Sequence, residues 1–377
     1  MTNKLKIAHT SLHIEYIAGV HKMRITEAQA AKHIENAQWD VYISSPCDKF
    51  QNDYIKYVPV FRLINYIFKK DNTLNFYLKR IFTLNMLFVR IKYNLFVNRL
   101  TDEYDYVILR YNSADFFAFT FLKRKHKILF YHHSDEVGEL KLYSTIGSLI
   151  EKITRKLHHK GCLGIIGVSP EILKIECKNI KTAKRLILPN GVFLKEDNVI
   201  SFKGKPNTIK FVMISSVFHS YQGLELLIES IRSSKFNNFQ VHFAGNVNEQ
   251  QKKLIESTNR CVYDGLIKQN EAYDYLQKFS IGIGPLALYK KKLTQASALK
   301  VGEYLINGLP VIVGYDEFKF PNDFPYILKV NHFFSFNDFF EFALKIQSIP
   351  RKQIAQESFK YLNQVKIMNN FLEQLSK

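Results

Sequence analysis

Residues Gln295–Ile312, QASALKVGEYLINGLPVI, form the most informative segment of the sequence. Ser297 predicts a helix N-cap, and the run Ala298–Asn307 predicts a helix of about three turns. Gly308 suits the left-handed position that follows a helix, and Pro310 prevents the helix from continuing. A β-branched run comes next, so the stretch predicts a helix that leads into a buried strand.

Two charged side chains lie in the first turns of this helix. Lys300 adds a mobile cation to a helix start whose free N–H groups and positive dipole end suit a diphosphate. Glu303 offers two carboxylate oxygens, which can accept both hydroxyls of a ribose cis-diol. The spacing matches a nucleoside diphosphate, but taken alone it favours an ordinary surface helix whose two charges are solvated.

Outward from this stretch, short β-branched runs alternate with helical patterns along all 377 residues. The pattern predicts two doubly wound α/β domains with parallel sheets, residues 1–195 and 205–350, joined by the polar linker Phe193–Thr208. Residues 351–377 predict a C-terminal helix that can pack back on the N-terminal domain, and a ligand is expected in the cleft between the domains. The predicted strands are Leu5–His9, Asp40–Ser44, Tyr106–Arg110, Ile128–His132, Gly164–Val168, Leu186–Leu188, Ile209–Ser215, Gln240–Ala244, Cys261–Tyr263, Ile281–Leu286, Val311–Val313 and Tyr326–Val330.

The order of several segments resembles the retaining glycosyltransferases of the GT-B fold, of the family-4 type that builds bacterial surface polysaccharides. The stretch Gln295–Ile312 resembles the nucleotide-sugar-binding motif of that family. The resemblance covers residues 120–315 well and the first 110 only in outline. The other matching segments are Val168–Glu171 (VSPE), Leu188–Val192 (LPNGV), Lys210–Ser230, Ala244–Gly245 and Tyr263–Gly265.

The resemblance implies a metal-independent hexosyltransferase that moves a sugar, with retention, from a nucleotide-diphosphate sugar to a glycan or lipid-linked glycan acceptor. Since no Asp-x-Asp motif lies in a suitable loop, neither a metal nor another cofactor is expected. A non-catalytic GT-B protein that binds nucleotide sugar or partners an active transferase, and a nucleotide-sugar epimerase, remain alternatives. The site residues that the resemblance implies are, for catalysis, His133, His132 and Gln295; for the donor, Glu303, Lys300, Ser297, Ala298, Leu299, Gly245, Asp264 and Gly265; and for the acceptor, Gly19 and Glu139.

This sequence departs from the family pattern at residues that are expected to contact the donor, including those that contact its diphosphate. Gln295 stands where the family has a first Glu, and the usual basic contacts fall near Val217 and Gln222, neither of which is basic. Lys300, the helix start and a lysine of Tyr289–Lys292 are therefore expected to meet the phosphate charge.

The chain carries 53 Lys+Arg against 34 Asp+Glu, a net charge of +19, and the excess is densest in Phe68–Arg99, where aromatic residues are interleaved. This pattern fits a solvated helix pair or a helix on an anionic membrane. It also fits nucleic-acid binding, but no nucleic-acid-binding motif accompanies it.

The N-terminus lacks the apolar core of a signal peptide, and the longest charge-free stretch, Phe211–Leu224, is too short to span a bilayer. A cytoplasmic protein on the inner face of the plasma membrane is expected, with four scattered cysteines that fit no metal site.

Overall fold

The chain forms two compact units, one of Met1–Pro189 with Gln364–Lys377 and one of Asn190–Asn363. The structure, a computed structural model, describes residues 4–13, 17–45, 48–59, 76–113, 115, 117–141, 144–178, 180, 184–194, 208–268 and 271–377, with the backbone alone for 48, 76–86 and 119. Most of the predicted linker and the first part of the basic stretch Phe68–Arg99 therefore lie outside the described residues, as does Cys47. The other three cysteines are free thiols.

The first unit is built on a seven-stranded sheet in the order β3-β2-β1-β4-β5-β6-β7, with every neighbouring pair parallel. The strand order reverses between β1 and β4, the position at which doubly wound sheets open a crevice at their carboxyl ends. The strands are β1 Leu5–Leu12, β2 Ala37–Ser45, β3 Lys56–Pro59, β4 Tyr106–Arg110, β5 Ile128–His132, β6 Gly164–Gly167 and β7 Lys184–Ile187. The helices are α1 Ala18–Ala31, α2 Phe76–Glu103, α3 Ala118–Phe121, α4 Glu136–Lys141, α5 Thr145–His159 and α6 Pro170–Glu176.

The second unit repeats this topology in a six-stranded parallel sheet, β10-β9-β8-β11-β13-β15, with a separate parallel pair, β12 and β14. The strands are β8 Ile209–Val217, β9 Phe239–Asn246, β10 Cys261–Gly265, β11 Ile281–Ile283, β12 Gln295–Ala296, β13 Val311–Val313, β14 Asp316–Glu317 and β15 Ile327–Lys329. The helices are α7 Leu224–Arg232, α8 Glu249–Glu256, α9 Ala272–Leu276, α10 Leu299–Ile306, α11 Phe336–Ile346 and α12 Arg351–Leu362; the last helix, α13 Gln364–Ser376, belongs to the first unit.

Strands buried on both faces are the ones that the sequence locates best. β4, β5 and β13 have the predicted bounds because each is a short, nearly continuous apolar run. The strand predicted as Ile281–Leu286 ends at Ile283, directly before Gly284 and Pro285. The edge strand β3 was not predicted, since its four residues lack a buried face.

The C-terminal segment 351–377 is two helices rather than the predicted single one. Asn363 adopts an extended conformation between them, with φ −60° and ψ 111°. Before this break, the carbonyl of Leu362 accepts a 2.7 Å hydrogen bond from the backbone N–H of Val192 in the second unit. After it, α13 packs on the first unit, where the Phe371 and Trp39 rings are 5.7 Å apart.

Candidate functional site

Helix α10 begins at Leu299 with Ala298 as its N-cap residue, so the predicted cap at Ser297 is wrong. Ser297 is buried and holds Asn190 instead: its Oγ accepts from the Asn190 backbone N–H at 3.0 Å, and its carbonyl accepts from Asn190 Nδ2 at 2.7 Å. The cap is supplied from a distant position, because the Ala298 N–H donates to Glu317 Oε2 at 3.1 Å. A carboxylate at this place also complements the helix dipole.

Glu317 belongs to a buried polar network that the sequence analysis missed. Lys319 Nζ lies 3.5 Å from Glu317 Oε1 and donates to the carbonyl of Asn190 at 2.9 Å, and the Tyr315 hydroxyl donates to Glu317 Oε2 at 3.3 Å. Burial raises the pKa of Glu317 and lowers the pKa of Lys319, while each group favours the charged form of the other. The network fixes the position of the start of α10. In the sequence, such a network is indicated only by the charged residues that directly follow a buried strand.

The predicted donor-binding pair comes together on α10. Lys300 Nζ donates to Glu303 Oε2 at 2.7 Å, with 42% of the lysine side chain and 16% of the carboxylate side chain exposed. The intrahelical ladder starts with Gly302 N–H to Ala298 O, so the N–H groups of Leu299 and Lys300 precede it without intrahelical acceptors. A cation, a carboxylate and open helix-end donors therefore lie within one turn.

A second cation lies beside the loop that the family resemblance assigns to the diphosphate. Lys291 Nζ is 4.1 Å from the centroid of the Tyr221 ring, and that ring stacks on His219. Two backbone bonds hold the loops together: Ala287 N–H to Tyr221 O at 3.1 Å, and Leu286 N–H to Gln222 O at 3.0 Å. Of the predicted lysines in Tyr289–Lys292, Lys291 is the one held beside the Tyr221 loop.

The predicted donor residues on β9 and β10 make mainly internal contacts. Gly245 has φ +135°, and a Cβ there would lie 1.6 Å from the Ser215 carbonyl oxygen, so a glycine is required. Asp264 accepts from His242 Nδ1 at 2.8 Å and from the Tyr275 hydroxyl. Although burial alone raises the pKa of Asp264, these hydrogen bonds lower it. Gly265, at φ +74°, has open space at its Cβ position.

In the first unit, the predicted His133 lies in a cluster of cationic and imidazole side chains at the carboxyl ends of β1, β4 and β5. Arg24 on α1 bridges the cluster: it donates to Glu27, lies 2.9 Å from His9 Nδ1, and lies 3.4 Å from His133 Nε2. Glu27 also contacts His9 Nδ1 at 2.6 Å and accepts from Trp39 Nε1 at 2.8 Å.

The imidazoles of this cluster are neutral near pH 7. Burial, together with Arg110 and Arg24, lowers the pKa of His133 well below its ordinary value and that of His13 to about 2. Burial and Arg24 lower the pKa of His9 to about 4. With Nε2 of His133 facing the Arg24 guanidinium, the ring proton belongs on Nδ1, which makes His133 a neutral hydrogen-bond donor.

His132 points the other way and does not fit the predicted catalytic role. It is fully buried, stacks on Tyr111 at 4.3 Å, and uses both ring nitrogens, Nδ1 with Glu136 Oε2 and Nε2 with His159 Nε2, each at 3.0 Å. The ligand atoms of His132, His159 and Glu176 lie within 4.8 Å of one another, a spacing that a metal ion could use. In the structure, hydrogen bonds already occupy both nitrogens of His132, so we assign it a structural role.

The two predicted acceptor residues differ in their surroundings. Gly19 is exposed and lies in the first turn of α1. Glu139 is partly exposed on α4 and accepts from the Ser134 hydroxyl at 3.2 Å. Gln295, implied for catalysis, is partly exposed in the two-residue strand β12.

Neither a protein-family model nor a curated protein sequence matches the chain. Solved structures match over nearly its full length. The apo lipopolysaccharide outer core galactosyltransferase WaaB is 13% identical with a TM-score of 0.58, and the match covers 98% of this chain and 99% of that one. HepE from Anabaena, in complex with UDP and glucose, is 11% identical with a TM-score of 0.60 over 99% of both chains. UDP-GlcNAc 2-epimerase from Neisseria meningitidis, bound to UDP-GlcNAc, is 10% identical with a TM-score of 0.53, covering 98% of this chain and 99% of that one.

At such identities the similarity establishes architecture. The chain has the GT-B fold, with two doubly wound α/β units on parallel sheets, as the sequence predicted. Among the residues that the structure describes, no helix has the length and apolar character needed to cross a membrane.

Proposed function

We propose that the protein is a glycosyltransferase that moves a sugar, with retention, from a nucleotide-diphosphate sugar to a glycan or lipid-linked glycan acceptor in surface-polysaccharide synthesis. The start of α10 in a GT-B fold is the observation that carries this proposal. There Glu303, Lys300 and the first N–H groups of the helix lie within one turn. In the proposed complex, Glu303 accepts the two ribose hydroxyls, and the helix start binds the diphosphate.

The chemical problem in such a transfer is charge, because a diphosphate departs while positive charge develops on the sugar. Lys300, Lys291 and the N–H groups of α10 are positioned to stabilise the leaving group, as preorganised donors do in other group transfers. Lys300 would exchange its contact with Glu303 for the phosphate, which frees the carboxylate for the ribose. This assignment uses cations of the chain and calls for no metal.

The proposal is tested by incubating the protein with a panel of nucleotide sugars, with and without glycan acceptors, and measuring release of the nucleoside diphosphate. UDP-sugars come first, because HepE and the epimerase were solved with UDP or a UDP-sugar. Acceptor-dependent release with a retained anomeric configuration supports a retaining transferase. Tight donor binding without release from any donor would instead indicate a non-catalytic protein. This is the main alternative, because Gln295 stands where the family has a glutamate.

An epimerase is the second candidate, since UDP-GlcNAc 2-epimerase has the same fold over nearly the whole chain. The same incubation separates the two functions. An epimerase converts the free donor into its epimer without an acceptor, and this conversion can be followed by NMR of the sugar protons. A transferase leaves the donor configuration unchanged until an acceptor is added.

We further propose that the protein docks on an anionic membrane through helix α5, whose amphipathic pattern is inverted. Its buried residues are polar: Ser148, Glu151, Thr154, His158 and His159. Its exposed face carries an apolar ridge of Ile146, Leu149, Ile153 and Leu157, which are 74%, 60%, 56% and 38% exposed. Exposed lysines accompany the ridge at Lys152, Lys156 and Lys160. Apolar side chains beside lysines suit the interface of an anionic bilayer, where both groups find partners.

Vesicle sedimentation tests this docking surface. The variant Leu149→Ser/Ile153→Ser should lose at least about tenfold in binding to anionic vesicles, given the apolar area that it removes. Phe333→Ser is the matched control, because Phe333 is 84% exposed on the second unit. Equal binding of wild type to neutral and anionic vesicles, or unchanged binding of the double variant, would contradict the proposal. A change of oligomeric state in the double variant without a change in vesicle binding would show that the ridge is a protein interface.

A further inference from the structure

The cluster in the first unit holds more positive charge than negative charge. Arg24 and Arg110 both lie in it, and Glu27 is the carboxylate that pairs with Arg24. Burial and the charge of Arg24 lower the pKa of Arg110 to about 10, so the Arg110 guanidinium is still protonated at neutral pH. His9 and His133 are neutral there, and Glu136, the carboxyl group whose charge raises the pKa of Arg110, is hydrogen-bonded to His132 and has its own pKa raised well above its ordinary value by burial.

Several donors of these arginines are also unused. Arg110 Nη1 and Arg24 Nε are buried, and neither has a hydrogen-bond partner among the residues that the structure describes. A buried guanidinium N–H without an acceptor costs free energy that a folded chain normally avoids. Such donors are retained where a ligand supplies the acceptor.

The position of the cluster matches a ligand site. Arg110 ends β4, His13 follows β1, and His133 follows β5, so the three meet where the strand order reverses. Arg110 and His133 are partly exposed, while His9, His13 and Arg24 are buried behind them. The exposed part of the cluster therefore belongs to a guanidinium side chain and a neutral imidazole side chain, both of which carry N–H donors.

We propose that this cluster is an anion-binding subsite that holds a phosphate or carboxylate group of the acceptor. The assignment to the acceptor rests on the proposed glycosyltransferase function, whereas anion binding itself does not. Guanidinium forks match the paired oxygens of both groups, and the bound anion supplies the acceptor atoms and the negative charge that the cluster lacks. An acceptor sugar with a uronic acid, or one linked to a phosphate, fits this chemistry.

Isothermal titration of the full chain with inorganic phosphate, with glucuronate and with neutral glucose tests the subsite. Wild type should bind at least one of the two anions saturably and should not bind glucose. Comparing phosphate with glucuronate distinguishes the two sources of the anion.

Arg110→Gln should weaken anion binding at least tenfold, while the control Arg124→Gln, at a half-exposed arginine of the same unit, should not change it. Without ligand, Arg110→Gln should unfold at the same temperature as wild type or higher, because it removes an unpaired buried charge.

The absence of saturable anion binding in wild type, or unchanged binding in Arg110→Gln, would overturn the proposal. A lower unfolding temperature of that variant combined with wild-type anion binding would show that Arg110 is structural. Titration with UDP separates acceptor from donor: Arg110→Gln should bind UDP like wild type. A loss of UDP affinity equal to the loss of phosphate affinity would overturn the assignment to the acceptor. If no nucleotide sugar is turned over, the anion titrations still report on the subsite independently.

Discussion

The ammonium nitrogen of Lys291 lies 4.1 Å from the centroid of the Tyr221 ring. This contact brings a cation to the loop before α7, at which the sequence itself has no basic residue. Since the nearby family positions Val217 and Gln222 are neutral, Lys291 is the residue that we expect to replace the missing charge.

Replacing Lys291 with Met should therefore weaken UDP binding by about 5- to 10-fold, the effect of losing one charge-assisted contact. Lys290→Met is the matched control, because Lys290 is its exposed neighbour on the same turn. Calorimetric titration with UDP measures both variants. Equal affinities for the two variants would show that Lys291 does not meet the phosphate.

The Glu317 network predicts a large effect on stability. Glu317→Ala leaves Lys319 buried without its counter-charge and removes the acceptor of the Ala298 N–H. The free energy of unfolding should therefore fall by about 3–5 kcal/mol. The double variant Glu317→Ala/Lys319→Met should recover part of this loss, because it removes the unpaired charge. Urea unfolding measures both. If the double variant is less stable than the single one, the lysine does not depend on Glu317.

Buried neutral histidines predict a loss of stability in acid. Burial lowers the pKa of His13 to about 2 and the pKa of His9 to about 4, whereas the unfolded chain binds a proton at each near pH 6.5. The free energy of unfolding therefore falls as the pH drops below 6.5, by about 1.4 kcal/mol for His13 between pH 7.5 and 5.5. Glu176, whose pKa burial raises to about 7, opposes this trend with the reverse sign.

Urea unfolding of His13→Asn at these two pH values checks the sign. On acidification, the free energy of unfolding of the variant should fall by about 1.4 kcal/mol less than that of wild type. The variant His126→Asn, at an exposed histidine, controls for the removal of an imidazole. An acid dependence of His13→Asn identical to that of wild type would contradict a neutral, buried His13.

Hydrophobic pattern predicted the architecture because the strands that build both sheets are apolar runs, such as Ile128–His132. It failed where polar groups are buried. The cap of α10 comes from Glu317, which lies 19 residues after Ala298 and beyond any local signal. Arg24 and Glu27 lie on the buried face of α1, so a pattern that places charge outside assigns them to the surface.

The same limit applies to the two histidines that the sequence analysis expected to be catalytic. His132 and His133 are adjacent in sequence and point to opposite sides of β5, one into a closed network and one toward the arginines. Strand alternation separates them, but nothing in the sequence says which side holds the open cluster. The motif around Glu303 was more informative, because its helix, its glycine at Gly308 and the strand that follows are all local features.

The most direct test of a donor site at the start of α10 is calorimetric titration of Glu303→Ala with the nucleotide sugar that wild type binds best, with Glu341→Ala, at an exposed glutamate on α11, as the matched control. Glu303→Ala should lose about 1–3 kcal/mol of binding free energy, and Glu341→Ala should bind like wild type. Equal affinity of Glu303→Ala and wild type would contradict a donor site at the start of α10.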